Sequence, residues 1–241
     1  MSNLNTIQTR YLSAGYISQN PSWDVADSPW KAKKVLELLT ANRIVPKTMV
    51  DVGCGAGNVL VQLLEAYPNA YLTGYDIAPD AERFWDAPRA MGVNLKVGDF
   101  LDSNVPVQDV LLLLDVVEHL QDPFTFLSRL NGRATHYVFH FPLDLSAMSV
   151  LRESPLLLVR NKVGHVHYYT RGLVLALLAE CGYRVIVARF TGAAFNAPGR
   201  GLKTFLAQIP RRLAFALNHD WGARLFGGET LMVLAVAAEA P

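Results

Sequence analysis

Disulfides, membrane spans and strong charge are what this sequence lacks, and each absence narrows its class. Only two cysteines, Cys54 and Cys181, occur in 241 residues. They are too few for a disulfide scaffold, so a reducing, cytoplasmic setting is the simpler expectation. The longest apolar clusters, such as Val110–Leu114 and Leu173–Leu178, are far too short to cross a bilayer, and no membrane span is expected. Met1 to Arg10 is polar and lacks the apolar centre of a signal peptide. Lysine and arginine total 22 against 21 acidic residues, a net charge of +1 with no long run of either sign. Nothing therefore argues electrostatically for a nucleic-acid partner. What is present is a chain that is 51% hydrophobic and long enough for one large α/β domain, without repeats or low-complexity tracts.

Along the chain, short apolar runs alternate with helical patterns. Strands are expected at 48–52, 70–75, 93–97, 109–114 and 135–141, with helices at 57–66, 79–90 and 122–130 between them. Such alternation predicts a parallel sheet covered on both faces. Before it, Ser28-Pro29 reads as the start of a helix running to about Ala41, with Ser28 as the cap. After it, residues 143–164 interrupt the order with Pro155 and the basic Arg152, Arg160 and Lys162. Thr170 then caps a helix that ends at Gly182, ahead of strand Tyr183–Phe190. The stretch 192–228 is too long for a plain loop. It contains an amphipathic helix, Leu202–Leu217, expected to kink at Pro210, before the last strand Thr230–Val236. A solvated helix face, a cover over a pocket, a homodimer contact and attachment to a membrane surface are the readings of that excursion, the last disfavoured by the small size of its basic cluster.

The most informative stretch is Val50-Asp51-Val52-Gly53-Cys54-Gly55-Ala56-Gly57-Asn58. A strand that breaks into alternate glycines and then a helix lets a ligand approach the backbone, because no Cβ intervenes. The nicotinamide or flavin pattern would need a glycine at 58, which is Asn58. Asp51, two positions before the first glycine, suits a cationic amino group and would repel a pyrophosphate. Three further acids follow strand ends: Asp76 in T-G-Y-D-I, Asp99 in V-G-D-F, and Asp115 in L-L-L-D-V-V-E-H-L. In a doubly wound sheet these ends face one crevice, and an acid about twenty residues past the glycines can accept ribose hydroxyls.

Taken together, D-V-G-C-G-A-G-N, T-G-Y-D-I, V-G-D-F and L-L-L-D-V-V-E-H-L closely resemble the successive motifs of the class I S-adenosylmethionine-dependent methyltransferases. The resemblance covers roughly residues 45–190 plus the last strand. It implies an α/β fold, a doubly wound, seven-stranded, mostly parallel sheet whose last strand inserts antiparallel. It implies a single methyltransferase domain: an N-terminal helical lid (1–45) carrying Tyr11, Tyr16 and Trp23, a cofactor-binding core (46–191), a helical insertion (192–228) and the last strand (229–241). S-adenosylmethionine, leaving as S-adenosylhomocysteine, is the implied cofactor. Asp51, Gly53, Cys54 and Gly55 would line its methionine part, with Gly57 and Asn58 opening the helix. Asp76 and Ile77 would hold ribose, Asp99 and Phe100 adenine, and Asp115 and Val116 would lie beside the sulfonium. The implied function is methyl transfer to a small-molecule acceptor, at a hydroxyl.

A hydroxyl must lose its proton, and the candidate bases are His119, just past the fourth strand, and His140, at the end of the fifth. Structural roles compete for both. Asp115, Glu118 and His119 also match in spacing the E-x-x-E-H metal motif of small-RNA 2′-O-methyltransferases, with His165 or His167 as a further ligand. The first ligand differs and no basic RNA platform is evident, so no metal is expected, and metal-assisted RNA 2′-O-methylation is the alternative. A cofactor-binding protein of the same fold without turnover is the other. Asp115-Val116-Val117-Glu118 stands where amino-methylating nucleic-acid enzymes carry N/D-P-P-Y/F, which argues against base N-methylation.

Overall fold

Residues 6–12, 20–23, 25–193 and 211–238 are described in a computed structural model of the chain. Strands β1 (Thr48–Val52), β2 (Tyr71–Asp76), β3 (Asn94–Val97), β4 (Gln108–Leu114), β5 (Ala134–Leu143), β6 (Tyr183–Phe190) and β7 (Glu229–Ala237) pair in one sheet. Their order is β3-β2-β1-β4-β5-β7-β6. Strand β7 runs antiparallel to both β5 and β6, while the other six share one direction. This is the seven-stranded α/β arrangement the motifs imply.

The helices are α1 (Thr6–Leu12), α2 (Ser28–Ala41), α3 (Asn58–Ala66), α4 (Asp86–Ala90), α5 (Pro123–Leu130), α6 (Ala147–Arg152), α7 (Ser154–Lys162), α8 (Arg171–Glu180) and α9 (His219–Phe226). Strand β4 explains why they form two layers. Leu111 and Leu113 join a core with Phe139, Phe141, Tyr183 and Leu178 on one face. Val110 and Leu112 join Val35, Leu39, Leu60 and Leu63 on the other. A strand buried on both faces reads as an unbroken apolar run, and period two divides it between the layers. No helix among the described residues is long and apolar enough to cross a membrane.

Three local expectations change. The helix read over 79–90 splits into a 3-10 turn, Pro79–Phe84, and α4. Pro88 causes the break, since it has no N–H to give Phe84 and its ring crowds that carbonyl. Helix α2 takes Asp27 rather than Ser28 as its cap, because a 3-10 turn at Val25–Asp27 runs straight into it. The interruption at 143–164 is two helices, α6 and α7, joined at Glu153 with φ +56°. Of the helix expected over 202–217, residues 211–217 are helical and the rest, with its kink at Pro210, lies outside the described residues.

Sheet order places the site. Strands β1 and β4 are neighbours, with Asp51 in register with Leu112, while the chain winds outward from them in opposite directions. Connections leaving in opposite directions open a crevice at the carboxyl ends of those two strands.

Candidate functional site

The floor of that crevice is the glycine turn. Gly53 and Gly55 have φ of +78° and +53°, where a side chain is strained. A Cβ on Gly53 would come 2.5 Å from Val116 Cγ2, and one on Gly55 2.8 Å from Trp23 Cδ1. Gly53 and Cys54 donate their N–H groups to Tyr75 O at 2.8 and 3.1 Å, pinning the turn against β2. Asp76 completes the fastening: its Oδ2 accepts from Gly55 N and its Oδ1 from Ala78 N, both at 2.8 Å. Each of its oxygens keeps a second lone pair.

Two lobes open above the turn. The larger, about 350 Å³, is lined by Lys31, Asp51, Cys54, Glu118 and His165. The smaller, about 160 Å³, is lined by Tyr11, Asp76, Ile77 and Val116. They share Trp23, Gly53, Asp115 and His119. Asp51 is 2% exposed, and its Oδ1 has no hydrogen-bond partner among the described residues. Burial pushes its carboxyl up to about 7, against the pull of Lys31 and with a smaller push from Asp76.

Four expected cofactor residues lie elsewhere. A Cβ on Gly57 would strike Leu95, so that glycine serves helix–sheet packing, and Asn58 begins α3. Asp99 accepts from Leu101 N at 2.8 Å. Phe100 is buried edge-on against Tyr75 with Arg133 over its ring. None of the four lines either lobe. Phe100 is a core residue rather than a wall for an aromatic ring, because the turn after β3 points it inward.

At the end of β4 the backbone turns sharply at Asp115, which has φ +56°, an uncommon conformation for a side-chain-bearing residue and one that clusters at functional sites. Its Oδ2 meets Lys31 Nζ at 2.7 Å and its Oδ1 meets His140 Nδ1 at 2.6 Å. Burial alone would raise this carboxyl, but His140 and then Lys31 outweigh it and hold it below the usual carboxylate range. His140 is 1% exposed, with Nε2 on Thr230 Oγ1 at 2.9 Å and Trp30 edge-on to its ring. With both nitrogens engaged and the ring enclosed, His140 orients Asp115 and does not line the cleft as a base would. Lys31 carries no signal in the sequence. It is one cation on a helix, and only the packing of α2 over β1 and β4 aims it.

One turn further on, the 3-10 segment Val117–His119 brings a second constellation to the wall. Glu118 is fully buried, and neither of its oxygens has a hydrogen-bond partner among the described residues. Burial, and then the charge of Asp115, drive its carboxyl well above the usual range. The backbone carbonyl of Glu118 accepts from Val166 N at 2.8 Å and His167 N at 3.1 Å, which docks the loop after α7 and delivers His165. His119 Nδ1 meets the Tyr11 hydroxyl at 2.8 Å, and His165 Nδ1 meets Asp144 Oδ2 at 2.6 Å. Burial, and then His165, pull His119 down to about 4, so it is neutral near pH 7 and a weak base. Tyr11 and Trp23, read as lid aromatics, do reach the cleft, while Tyr16 lies outside the described residues.

Comparison with known proteins agrees with this fold. Residues 50–136, from the glycine turn to the start of β5, match the family described as "Methyltransferase domain". The ajmaline N-methyltransferase of Rauvolfia serpentina is 30% identical over 113 residues, which cover 42% of this chain and 38% of that protein. The chain thus spans about two fifths of that relative's length. The plantazolicin methyltransferase BpumL, solved with S-adenosylhomocysteine, superposes with a TM-score of 0.60 at 15% identity, over 97% of this chain and 96% of that one. The mitomycin 7-O-methyltransferase MmcR gives 0.63 at 18% identity, over 98% of this chain and 62% of that one. These likenesses show a shared fold. With its matched domain, its seven-stranded sheet and its glycine turn at the switch point, this chain has the fold of the class I S-adenosylmethionine-dependent methyltransferases.

Proposed function

We propose that the chain transfers a methyl group from S-adenosylmethionine to the hydroxyl of a small-molecule acceptor. The observation that carries this reading is the unpartnered Oδ1 of Asp51, buried beside the glycine turn. A buried carboxylate without a partner is costly, and an ammonium group offsets that cost. Gly53 and Gly55 leave the space that a side chain would fill. Asp76 has spare lone pairs for ribose hydroxyls, with Ile77 and Val116 as apolar walls of the same lobe. The residues present therefore fit the cofactor.

S-adenosylmethionine supplies a methyl group already made electrophilic by a positively charged sulfur. The protein's work is alignment of the acceptor, acceptance of its hydroxyl proton by the neutral His119 that lines both lobes, and exclusion of water. Asp115, fixed by Lys31 and His140, holds negative charge where the two lobes meet, and Trp23 with Tyr11 covers the cleft. The hydroxyl assignment is supported by the polar wall of Glu118, His119 and His165 and by the absence of the N/D-P-P-Y/F signature. The four-ligand arrangement of the RNA 2′-O-methylating alternative is not assembled, since Asp115 is committed to its ion pairs.

Calorimetric titration with S-adenosylmethionine and S-adenosylhomocysteine tests the reading. Micromolar binding is expected, weakened roughly ten- to hundredfold in Asp51→Asn, the usual loss for one charge-assisted hydrogen bond. A folded protein that binds neither compound would sink the proposal, and unchanged affinity in Asp51→Asn would sink the assignment of that residue.

A further inference from the structure

Glu229, at the first position of β7, takes no part in methyl transfer as described, yet it is 1% exposed and densely bonded. Its Oε1 accepts from Gly192 N at 2.9 Å, from Ala193 N and Thr230 N at 3.0 Å, and from Thr191 Oγ1 at 3.3 Å. Its Oε2 meets His219 Nε2 at 3.1 Å. One carboxylate thus holds both the backbone leaving β6 and helix α9, which returns the chain to β7.

The same carboxylate is joined to the cleft. Thr191 Oγ1 is hydrogen-bonded to Thr230 Oγ1, and Thr230 Oγ1 to His140 Nε2 at 2.9 Å. His140 Nδ1 meets Asp115 Oδ1 at 2.6 Å, and Thr230 itself lines the larger lobe. Each hydroxyl has one proton to give, which fixes the direction of the chain. Three N–H groups converge on Glu229 Oε1, so that oxygen carries no proton. The Thr191 hydroxyl faces it and the Thr230 carbonyl oxygen, both at 3.3 Å and both acceptors only. Thr191 therefore donates to that side and accepts from Thr230. Thr230, its proton directed at Thr191, can only accept from His140 Nε2. Asp115, an ionised carboxylate, can only accept from Nδ1. Both ring nitrogens then carry protons, and the imidazolium lies between Asp115 on one side and Glu229, two hydroxyls away, on the other. A reversed chain would leave the Thr191 oxygen facing two acceptors with no proton between them, a costly arrangement in a buried site.

We infer that Glu229 is a positioning residue for the methyl-transfer centre, acting through Thr191 and Thr230 to hold His140 as a doubly protonated partner of Asp115. The consequence is one of charge. Asp115 stands where the two lobes meet. A bare carboxylate there would stabilise a sulfonium more than the transition state, in which the sulfur is losing its charge, and would slow transfer. Lys31 and the His140 imidazolium together offset that negative charge. The hydrogen-bond relay does not rest on the methyl-transfer reading, and only this consequence does.

The test is a long-range ¹H–¹⁵N correlation spectrum of the full-length, cofactor-free protein at pH 7, labelled with ¹⁵N-histidine, the His140 signals being assigned by their loss in His140→Gln. Both ring nitrogens of His140 should show the shifts of an imidazolium. Thr191→Val removes one hydroxyl at nearly constant shape, frees the Thr230 proton for Nε2, and should convert the ring to the neutral form with Nε2 bare. Glu229→Gln, which removes the charge, should move the ring the same way, and Thr191→Ser should restore the wild-type spectrum. A neutral His140 in the wild-type protein would overturn the inference, as would an imidazolium retained in folded Thr191→Val and Glu229→Gln. Circular dichroism and thermal unfolding establish which variants are folded, and the wild-type spectrum decides even if neither is. Calorimetry supplies the second arm. Thr191→Val should raise the preference for S-adenosylmethionine over S-adenosylhomocysteine by roughly threefold or more, because Asp115 is then less fully offset. An unchanged preference with a neutralised ring would overturn the consequence for transfer. Wild-type protein that binds neither compound would sink the methyl-transfer reading, while the spectra still decide the relay.

Discussion

The two sides of the cleft treat a carboxylate in opposite ways. On one side Asp115 is saturated, with Lys31 at 2.7 Å, His140 at 2.6 Å, and His140 in turn on Thr230. Three residues later Glu118 is buried more deeply and has no hydrogen-bond partner among the described residues. Both follow from the same strand end, so helix propensity and local sequence do not separate them. What separates them is which elements arrive opposite. Helix α2 and strand β5 bring a lysine and a histidine to Asp115, whereas the loop after α7 brings only the His165 ring toward Glu118, no nearer than 3.9 Å. The comparison teaches that a buried charge met by fixed protein partners is structural, and one left short of partners marks where a ligand belongs. Asp51 repeats the second case on the floor of the cleft.

The comparison is broken most severely from the saturated side. His140→Leu removes one partner of Asp115 and should cost about 3–5 kcal/mol of folding stability, the range for breaking a buried pair. Urea denaturation measures it, and a loss below about 1 kcal/mol would mean that Lys31 alone suffices.

The floor offers a pH test of intermediate size. Burial first, opposed by Lys31, raises Asp51 from 3.8 to about 7. An acid with a raised folded value holds its proton more tightly in the native state. Stability from this group is therefore greatest below its unfolded value and falls as pH rises toward 7. Between about pH 5 and about pH 6.5 the loss should be about 2 kcal/mol in the cofactor-free protein. Asp51→Asn should flatten that slope, and parallel pH profiles for the two proteins would refute the assignment.

The smallest effect sharpens the comparison from the unsatisfied side. Glu118→Gln removes no hydrogen bond, so its stability should stay within about 1 kcal/mol of the wild-type value or rise. A loss as large as that of His140→Leu would show that Glu118 has a structural partner after all.

Much of the site was legible because it depends on short segments. Asp51, Gly53 and Gly55 alternate within five residues, and their placement follows from strand, turn and helix in one stretch of chain. Asp76 and Asp115 follow from knowing that strand ends share an edge of the sheet. Phe100 shows where such reading fails. Its position after β3 suggested a wall for an aromatic ring, but a one-residue turn decides whether a side chain faces the crevice or the core, and here it faces Tyr75. His140 fails for a related reason. A strand-end histidine reads as accessible until the insertion of β7 beside β5 sets Thr230 against it. Lys31 and Asp144 had no signal at all, since each is an ordinary charge in its own segment.

The inserted last strand came only as what the family resemblance implies, while by itself the sequence determined the alternation of elements and the glycine turn with its acidic neighbour. These rest on backbone conformation, hydrophobic period and spacing, which act within a few residues. Tertiary structure alone decided which charges meet: that Asp115 is paired and Glu118 is not, that His140 is enclosed, and that His165 crosses forty-six positions to stand beside His119. Electrostatic pairing in a buried site depends on distances of a few ångströms between segments far apart in sequence, and only the packed sheet and its covering helices set those distances.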